Sequence, residues 1–160
     1  MIDIRPPHDF LHLLDKMPSV FLAGSIEMGK AIDWQSKLTQ ELVDLDVLIL
    51  NPRRLDWDST WKQEITNPHF KGQVEWELLG LEKATKVVFY FDPATQSPIT
   101  LLELGFLAAR APEKMIVCCP NGFWRKGNVD VVCARYGVKQ VSSTDDLENE
   151  IRNNLGDLKV

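Results

Sequence analysis

Short apolar runs recur along the chain, and most are followed by a segment in which apolar residues repeat at helical spacing. Continuous apolar runs of this length are typical of strands that are buried on both faces of a sheet. Strands that alternate with helices predict an α/β fold with a doubly wound parallel sheet of about five strands and helices on both faces. The five predicted strands lie within residues 19–23, 47–50, 86–91, 115–119 and 138–141.

The predicted helices cover residues 31–44, 70–84, 97–110, 128–136 and 144–155. The third of these has a clear start, because Ser97 is a preferred N-cap residue and Pro98 suits the first helical turn. Four apolar side chains of this helix are expected to face the sheet: Ile99, Leu102, Phe106 and Ala109. Glu103 lies among them, and a carboxylate in such a place is costly unless it is paired or functional.

The first 18 residues contain three prolines and show no clear period, so they are interpreted as an N-terminal extension. We find no internal repeat, low-complexity tract or domain boundary in the rest of the chain. The 160 residues are enough for one domain with a substantial core and too few for two ordinary ones. We therefore expect a single domain over residues 1–160.

The formal net charge of −5 argues against a general nucleic-acid or membrane-surface binder, since these normally carry a basic face. No apolar run is long enough for a signal peptide or a membrane span. The cysteines are Cys118, Cys119 and Cys133, which form no CxxC pair and favour buried free thiols over a zinc site. We expect a cytoplasmic protein without a metal.

Polar and aromatic residues gather in the segments that follow the predicted strands. These segments are Gly24–Ser25, Asn51–Trp61, Asp92–Ser97 and Pro120–Gly127. Open α/β sheets bind their ligands at the carboxyl ends of the strands, where these segments meet. The long connection after the second strand supports this interpretation, because long loops within a compact domain are more often functional than idle.

Three motifs of the chain resemble the nucleoside 2-deoxyribosyltransferase superfamily, in particular its 2-deoxyribosyltransferase-like branch. They are Phe21–Ile26 with its Gly-Ser-Ile turn, Gln73–Glu77, and Ser97–Gly105 with its Glu-Leu-Gly sequence. The deoxynucleoside 5'-monophosphate N-glycosidases share the first and last of these. The resemblance covers about residues 19–120 and implies a flavodoxin-like domain that acts on the N-glycosidic bond of a nucleoside or nucleotide.

The resemblance implies that Glu103 is the nucleophile that attacks the anomeric carbon of the sugar. It places Glu77 as the second acid, although relatives usually carry aspartate there. Retaining glycosyl transfer uses two carboxylates about 5 Å apart, one as nucleophile and one as acid and base. The monophosphate glycosidases have arginine where this chain has Glu27. Glu27 would repel a 5'-phosphate unless a nearby arginine, Arg53, Arg54 or Arg125, binds it.

The motifs and the predicted crevice together give the candidate substrate-binding residues. They are Gly24, Ser25, Ile26, Asn51, Arg53, Arg54, Trp57, Gln73, Asp92 and Ser97. Several have a structural alternative: Asp92 suits a turn before Pro93, Ser97 a helix cap, and the arginines an ordinary surface. Trp57 either stacks on a base or closes over the core.

We expect an enzyme that forms a covalent glycosyl–Glu103 intermediate and releases it to water or to a second base. By resemblance it needs no cofactor and assembles as a homo-oligomer. Two alternatives stay open, a nucleotide-binding module without catalysis and an NAD-cleaving glycohydrolase, since TIR-type domains use a comparable glutamate on a related fold. The base, the sugar and the phosphate state are not determined by these residues.

Overall fold

Six parallel strands form one sheet in the computed structural model, which describes residues 1–26 and 31–156. The order across the sheet is β1-β3-β2-β4-β5-β6, and every neighbouring pair is parallel. The strands are β1 (Ile2–Ile4), β2 (Ser19–Gly24), β3 (Leu48–Leu50), β4 (Lys86–Tyr90), β5 (Met115–Cys118) and β6 (Lys139–Val141). The predicted α/β class and parallel sheet are confirmed, and from β3 onward the strand order is that of flavodoxin-like folds.

Helices cover both faces of the sheet. They are α1 (Leu11–Leu14), α2 (Trp34–Glu41), α3 (Pro68–Lys83), α4 (Pro98–Ala108), α5 (Lys126–Tyr136) and α6 (Thr144–Gly156). Helices α1, α3, α4 and α5 pack on one face, over a core that includes Phe21, Phe89 and Leu104. Helices α2 and α6 pack on the other face, over Leu22 and Ile49. Alternate residues of each strand therefore enter different cores, as the two-residue period of a strand requires.

The N-terminal extension contributes the sixth strand. β1 pairs with β3 at the edge of the sheet, with Ile2 opposite Leu48 and Ile4 opposite Leu50. Phe10 is buried in the core, and the indole Nε1 of Trp76 donates to the carbonyl oxygen of His8 at 2.9 Å. A three-residue edge strand has too few positions to show an apolar period, which is why the pattern did not indicate it.

The predicted inward face of α4 is wrong. Ile99 and Leu102 are 59% and 69% exposed, and Ala109 is also exposed. The side chains that α4 buries are Thr100, Leu104, Leu107 and Ala108. Because α4 is apolar on nearly every side, its sequence does not single out one face for the core. The helical period of the predicted helix 31–44 also places Ile32 and Val43 on its inward face, and this is wrong, because both side chains are exposed.

β2 and β4 are neighbours in the sheet, although β3 lies between them in the chain. The chain leaves β2 toward one edge of the sheet and leaves β4 toward the other. Such a switch point opens a crevice at the carboxyl ends of the two strands, which is where ligands bind in open α/β sheets. Gly24, at the end of β2, pairs with Tyr90, at the end of β4.

Two further predictions concern the cysteines and membrane-spanning segments. Cys118, Cys119 and Cys133 are all buried free thiols, as predicted. Across residues 1–26 and 31–156, no helix has both the length and the apolar character needed to cross a membrane.

Candidate active site

Gly24 allows the backbones of β2 and β4 to approach each other at the switch point. A Cβ atom at this position would lie 2.5 Å from the carbonyl oxygen of Tyr90 and 2.6 Å from a ring carbon of Trp34. Its φ of 158° is also rare for other residues. The indole Nε1 of Trp34 then donates to the carbonyl oxygen of Ser25 at 3.2 Å. The glycine of the Gly-Ser-Ile turn is thus explained by close packing.

Three buried hydroxyl groups join the ends of β2 and β4 to the start of α4. The Ser25 hydroxyl contacts the Ser97 hydroxyl and accepts from the backbone N–H of Asp92 at 2.9 Å. The Thr95 hydroxyl lies 2.8 Å from the Ser97 hydroxyl and 2.9 Å from that of Ser25. It also donates to the carbonyl oxygen of Asp92 at 2.8 Å. We call Ser25, Thr95 and Ser97 the hydroxyl cluster.

Ser97 does not cap α4 through its side chain, although it occupies the N-cap position. Its φ of 47° is in the left-handed region, which a residue other than glycine seldom adopts. The hydroxyl points instead into the hydroxyl cluster. The competing partners Ser25 and Thr95 lie on other segments of the site, so only the folded chain shows why the cap is not formed.

Glu77 lies on α3 and Glu103 on α4, and the charge of Glu77 acts on Glu103. Both residues are partly accessible to solvent. Glu77 Oε1 accepts a hydrogen bond of 2.7 Å from Nε2 of Gln73, one turn earlier in α3. The side chain of Glu103 makes no hydrogen bond or ion pair within residues 1–26 and 31–156. One carboxylate is therefore held by a neighbouring amide, whereas the other has no such donor among these residues.

Burial raises the pKa values of both carboxyl groups. The pKa of Glu103 is raised to about 8, first by burial and second by the negative charge of Glu77. The pKa of Glu77 is raised to about 7 by burial, which the hydrogen bond from Gln73 partly offsets. Near neutral pH the two groups therefore hold about one proton between them. Such a pair supplies an acid and a base at the same pH.

Asn51 and Arg53 organise the neighbouring edge of the sheet, at the end of β3. The Asn51 Oδ1 atom accepts from the backbone N–H of Arg53 at 3.0 Å. The Arg53 guanidinium donates to Gln35 Oε1 at 3.3 Å and to the carbonyl oxygens of Ala31 and Ile32 at 3.4 Å. Arg53 thus ties the end of β3 to the segment that precedes α2. The Nδ2 atom of Asn51 is buried without a hydrogen-bond partner among the described residues.

Asp92 forms the turn that was its predicted structural role, and it also binds the segment that precedes α2. One carboxylate oxygen accepts from the backbone N–H of Ala94 at 2.9 Å, as in a turn. The other accepts from the backbone N–H of Ile32 at 3.2 Å. Asp92 therefore connects the end of β4 with the segment that precedes α2, across the mouth of the crevice.

The structure does not bring Arg54 and Trp57 into contact with the two carboxylates. Arg54 forms a two-pronged ion pair with Asp56, both distances being 2.8 Å, and its guanidinium lies over the ring of Trp61. Trp57 packs edge-on against Trp61 with ring centroids 5.2 Å apart. These residues form an aromatic and charged cluster within the long loop after β3.

Ile26 is partly buried beside the crevice, and its carbonyl oxygen accepts from the backbone N–H of Ala31 at 3.4 Å. Glu27, the predicted departure from the monophosphate glycosidases, lies outside the described residues. Thr95 of the hydroxyl cluster has no place in the sequence motifs, and neither has Gln35, which accepts from Arg53 but makes no hydrogen bond with the hydroxyl cluster or the two carboxylates among the described residues. The sequence partly indicated Thr95, because Thr95 lies in the loop expected to line the crevice. It did not indicate Gln35.

No metal cluster accompanies this site in the parts of the chain that the structure describes. Residues 1–26 and 31–156 bring together no group of three or more histidine, cysteine or carboxylate side chains that could hold a metal ion.

Comparison with known protein families adds one match. The family model described as nucleoside 2-deoxyribosyltransferase like matches residues 17–123, more than half of the chain. The matched region contains the hydroxyl cluster, Gln73, Asp92 and both carboxylates. A comparison with curated protein sequences gave no match.

Proposed function

The chain belongs to the nucleoside 2-deoxyribosyltransferase-like family, and from this premise we propose that it cleaves or exchanges the N-glycosidic bond of a nucleoside or nucleotide. The family supports a protein that handles glycosyl groups. The specific reaction rests on the observation that Glu77 on α3 and Glu103 on α4 are two carboxyl groups with raised pKa values that interact through their charges. Retaining glycosyl transfer needs such a pair.

In the first step Glu103 attacks the anomeric carbon as an ionised carboxylate. The carbon–oxygen bond to Glu103 forms while the glycosidic carbon–nitrogen bond breaks, and the electron pair of the broken bond leaves with the base. Glu77 donates a proton to that base, which improves a mediocre leaving group. The reactive form of the pair carries one proton in total, on Glu77, with Glu103 ionised. Because the pKa of Glu103, about 8, is above that of Glu77, about 7, this is the less populated of the two singly protonated forms in the free protein.

In the second step water or another base attacks the anomeric carbon and breaks its bond to Glu103. Ionised Glu77 takes the proton of the attacking water or base, and the Glu103 carboxylate is released. Water gives hydrolysis, and a base gives exchange. The two outcomes use the same carboxylates, so the choice depends on which acceptor reaches the intermediate.

The remaining predicted residues support this reaction from around the crevice. We propose that the turn at Gly24, Ser25 and Ile26 and the start of α4 at Ser97 line the sugar side of the site. Asn51 and Arg53 at the end of β3, Asp92 at the end of β4, and Arg54 and Trp57 on the long loop complete the substrate-binding surface.

The three arginines that could bind a 5'-phosphate already have partners in the described region. Arg53 binds Gln35 and two backbone carbonyls, Arg54 binds Asp56, and Arg125 lies over the ring of Trp124. A 5'-phosphate would have to compete with these partners. We therefore expect unphosphorylated nucleosides to be better substrates than their 5'-monophosphates.

Product analysis tests the proposed function directly. The wild-type protein and Glu103→Ala are incubated with ribo- and deoxyribonucleosides, their 5'-monophosphates and NAD, each with and without a free acceptor base. We expect wild type, but not the variant, to release free base, and a new nucleoside in the presence of acceptor indicates exchange. Nicotinamide released from NAD alone would favour the glycohydrolase alternative. Binding to both proteins without any turnover would contradict the proposal and favour a binding module.

A further inference from the structure

The side-chain amide of Gln73 is held through its NH₂ group. Nε2 donates to Glu77 Oε1 at 2.7 Å and to the carbonyl oxygen of Pro52 at 3.1 Å. Oε1 of Gln73 is buried and has no hydrogen-bond partner in the described chain. Reversing the amide would place its oxygen against two acceptors, so these contacts determine its orientation. Gln73 therefore acts as a donor toward Glu77.

Gln73 connects two elements of the site. It is buried on α3, one helical turn before Glu77, so the two side chains lie on the same face of the helix. Pro52 follows β3 in the chain and supplies a backbone acceptor that does not depend on side-chain rotamers. Gln73 is thus anchored to the end of β3 and extends that anchor to the carboxylate of Glu77.

We propose that Gln73 is a positioning residue, which holds Glu77 by its Oε1 atom and leaves Oε2 as the oxygen that exchanges a proton with the substrate. This rests on the proposed function for its catalytic meaning, while the contact itself is independent of any reaction. A substrate-binding residue, as the sequence motif suggested, would use its amide toward the ligand. Here both amide hydrogens are bound to protein acceptors.

The charged group that faces Glu77 from the neighbouring helix is Glu103 on α4. Burial opposes ionisation of Glu77, whereas the donor from Gln73 favours it. Loss of this donor removes the stabilisation of the ionised form. The pKa of Glu77 must then rise above its value in the wild-type protein.

The experiment compares full-length Gln73→Met with wild type and with Gln35→Met as a matched control. Gln35 is another buried glutamine, but its Nε2 atom has no hydrogen-bond acceptor among the described residues. The carboxyl ¹³C shifts of labelled glutamates, titrated by NMR, give the pKa of Glu77 without any substrate. We expect that pKa to rise in Gln73→Met and to stay unchanged in Gln35→Met. With a substrate in hand, we expect kcat of Gln73→Met to fall roughly tenfold or more while KM changes little.

An unchanged or lowered pKa of Glu77 in Gln73→Met would overturn the proposal, and so would a rise in KM at unchanged kcat. Should Gln73→Met not fold, the wild-type protein decides the question. The ¹H shift of the Gln73 side-chain amide must then titrate with the same midpoint as the Glu77 carboxyl carbon, and an amide shift that does not follow Glu77 overturns the proposal. Failure to find any glycosidic activity would refute the proposed function but leave this titration interpretable.

Discussion

At the scale of single residues, Glu103 carries the proposed chemistry. We expect Glu103→Gln to reduce turnover by at least about 10³-fold, because the amide keeps the shape of the side chain but is not a nucleophile. Burial at this position is only partial, and the neutral amide removes the repulsion from Glu77, so the variant is expected to fold. Turnover is measured by release of free base, and circular dichroism checks the fold. Residual activity close to wild type would show that another group attacks the sugar.

The same two carboxylates predict how stability depends on pH. Their pKa values are raised from 4.5 to about 7 and about 8, so between pH 4.5 and 8 the folded protein binds more protons than the unfolded chain. The contribution of the pair to stability is therefore fully present below pH 4.5 and is lost as the pH rises toward 8. Urea unfolding at pH 5 and pH 8 measures the change. We expect a smaller loss of stability with rising pH in the double variant Glu77→Gln, Glu103→Gln than in wild type.

A third expectation at this scale concerns the coupling of the two groups. The charge of Glu77 contributes to the raised pKa of Glu103, so Glu77→Gln is expected to lower the pKa of Glu103 from about 8. Carboxyl ¹³C titration measures this, with Glu75→Gln as the control, because Glu75 is an exposed acid on the same helix. An unchanged pKa of Glu103 would mean that its value comes from burial alone.

At the scale of elements, the hydroxyl cluster connects the ends of β2 and β4 with the start of α4, the helix that carries Glu103. Ser25→Ala removes the acceptor of the backbone N–H of Asp92 and leaves that donor buried. An unsatisfied buried donor costs about 1–3 kcal/mol, so we expect the free energy of unfolding to fall by that amount. Urea unfolding measures it, with the exposed Ser142→Ala as control. Equal stability in the two variants would mean that the cluster does not support the site.

The elements also show where sequence patterns succeed and fail. Helix α3 was predicted as 70–84 and observed as Pro68–Lys83, and Gly137 ends α5 in the left-handed conformation with φ of 69°, as its type suggests. The orientation of α4 was not predictable, because a helix with apolar residues on nearly every side can bury more than one face. Packing of Leu104 and Leu107 against the sheet decided it.

At the scale of the whole molecule, the exposed apolar face of α4 supports the proposal of a homo-oligomer. Ile99 and Leu102 stand on this face beside the partly buried Phe106. Exposed apolar patches frequently mark contact surfaces. We expect Leu102→Glu to shift the protein toward the monomer in light scattering after size exclusion. Leu55→Glu, at a leucine that is 88% exposed on the long loop, is the matched control. A monomeric wild-type protein would contradict the proposal.

The sequence by itself determined the α/β class, the five predicted helices to within three residues at each end, and the motifs that place an acid on each of two helices. These features depend on local periodicity and on residue types that are close in the chain. The contacts of Ser25 with Ser97, of Gln73 with Pro52 and of β1 with β3 were decided by the tertiary structure. Each joins residues far apart in sequence, and their meeting depends on strand order, strand register and helix rotation. Those quantities are set by how the two cores pack, which no local pattern encodes.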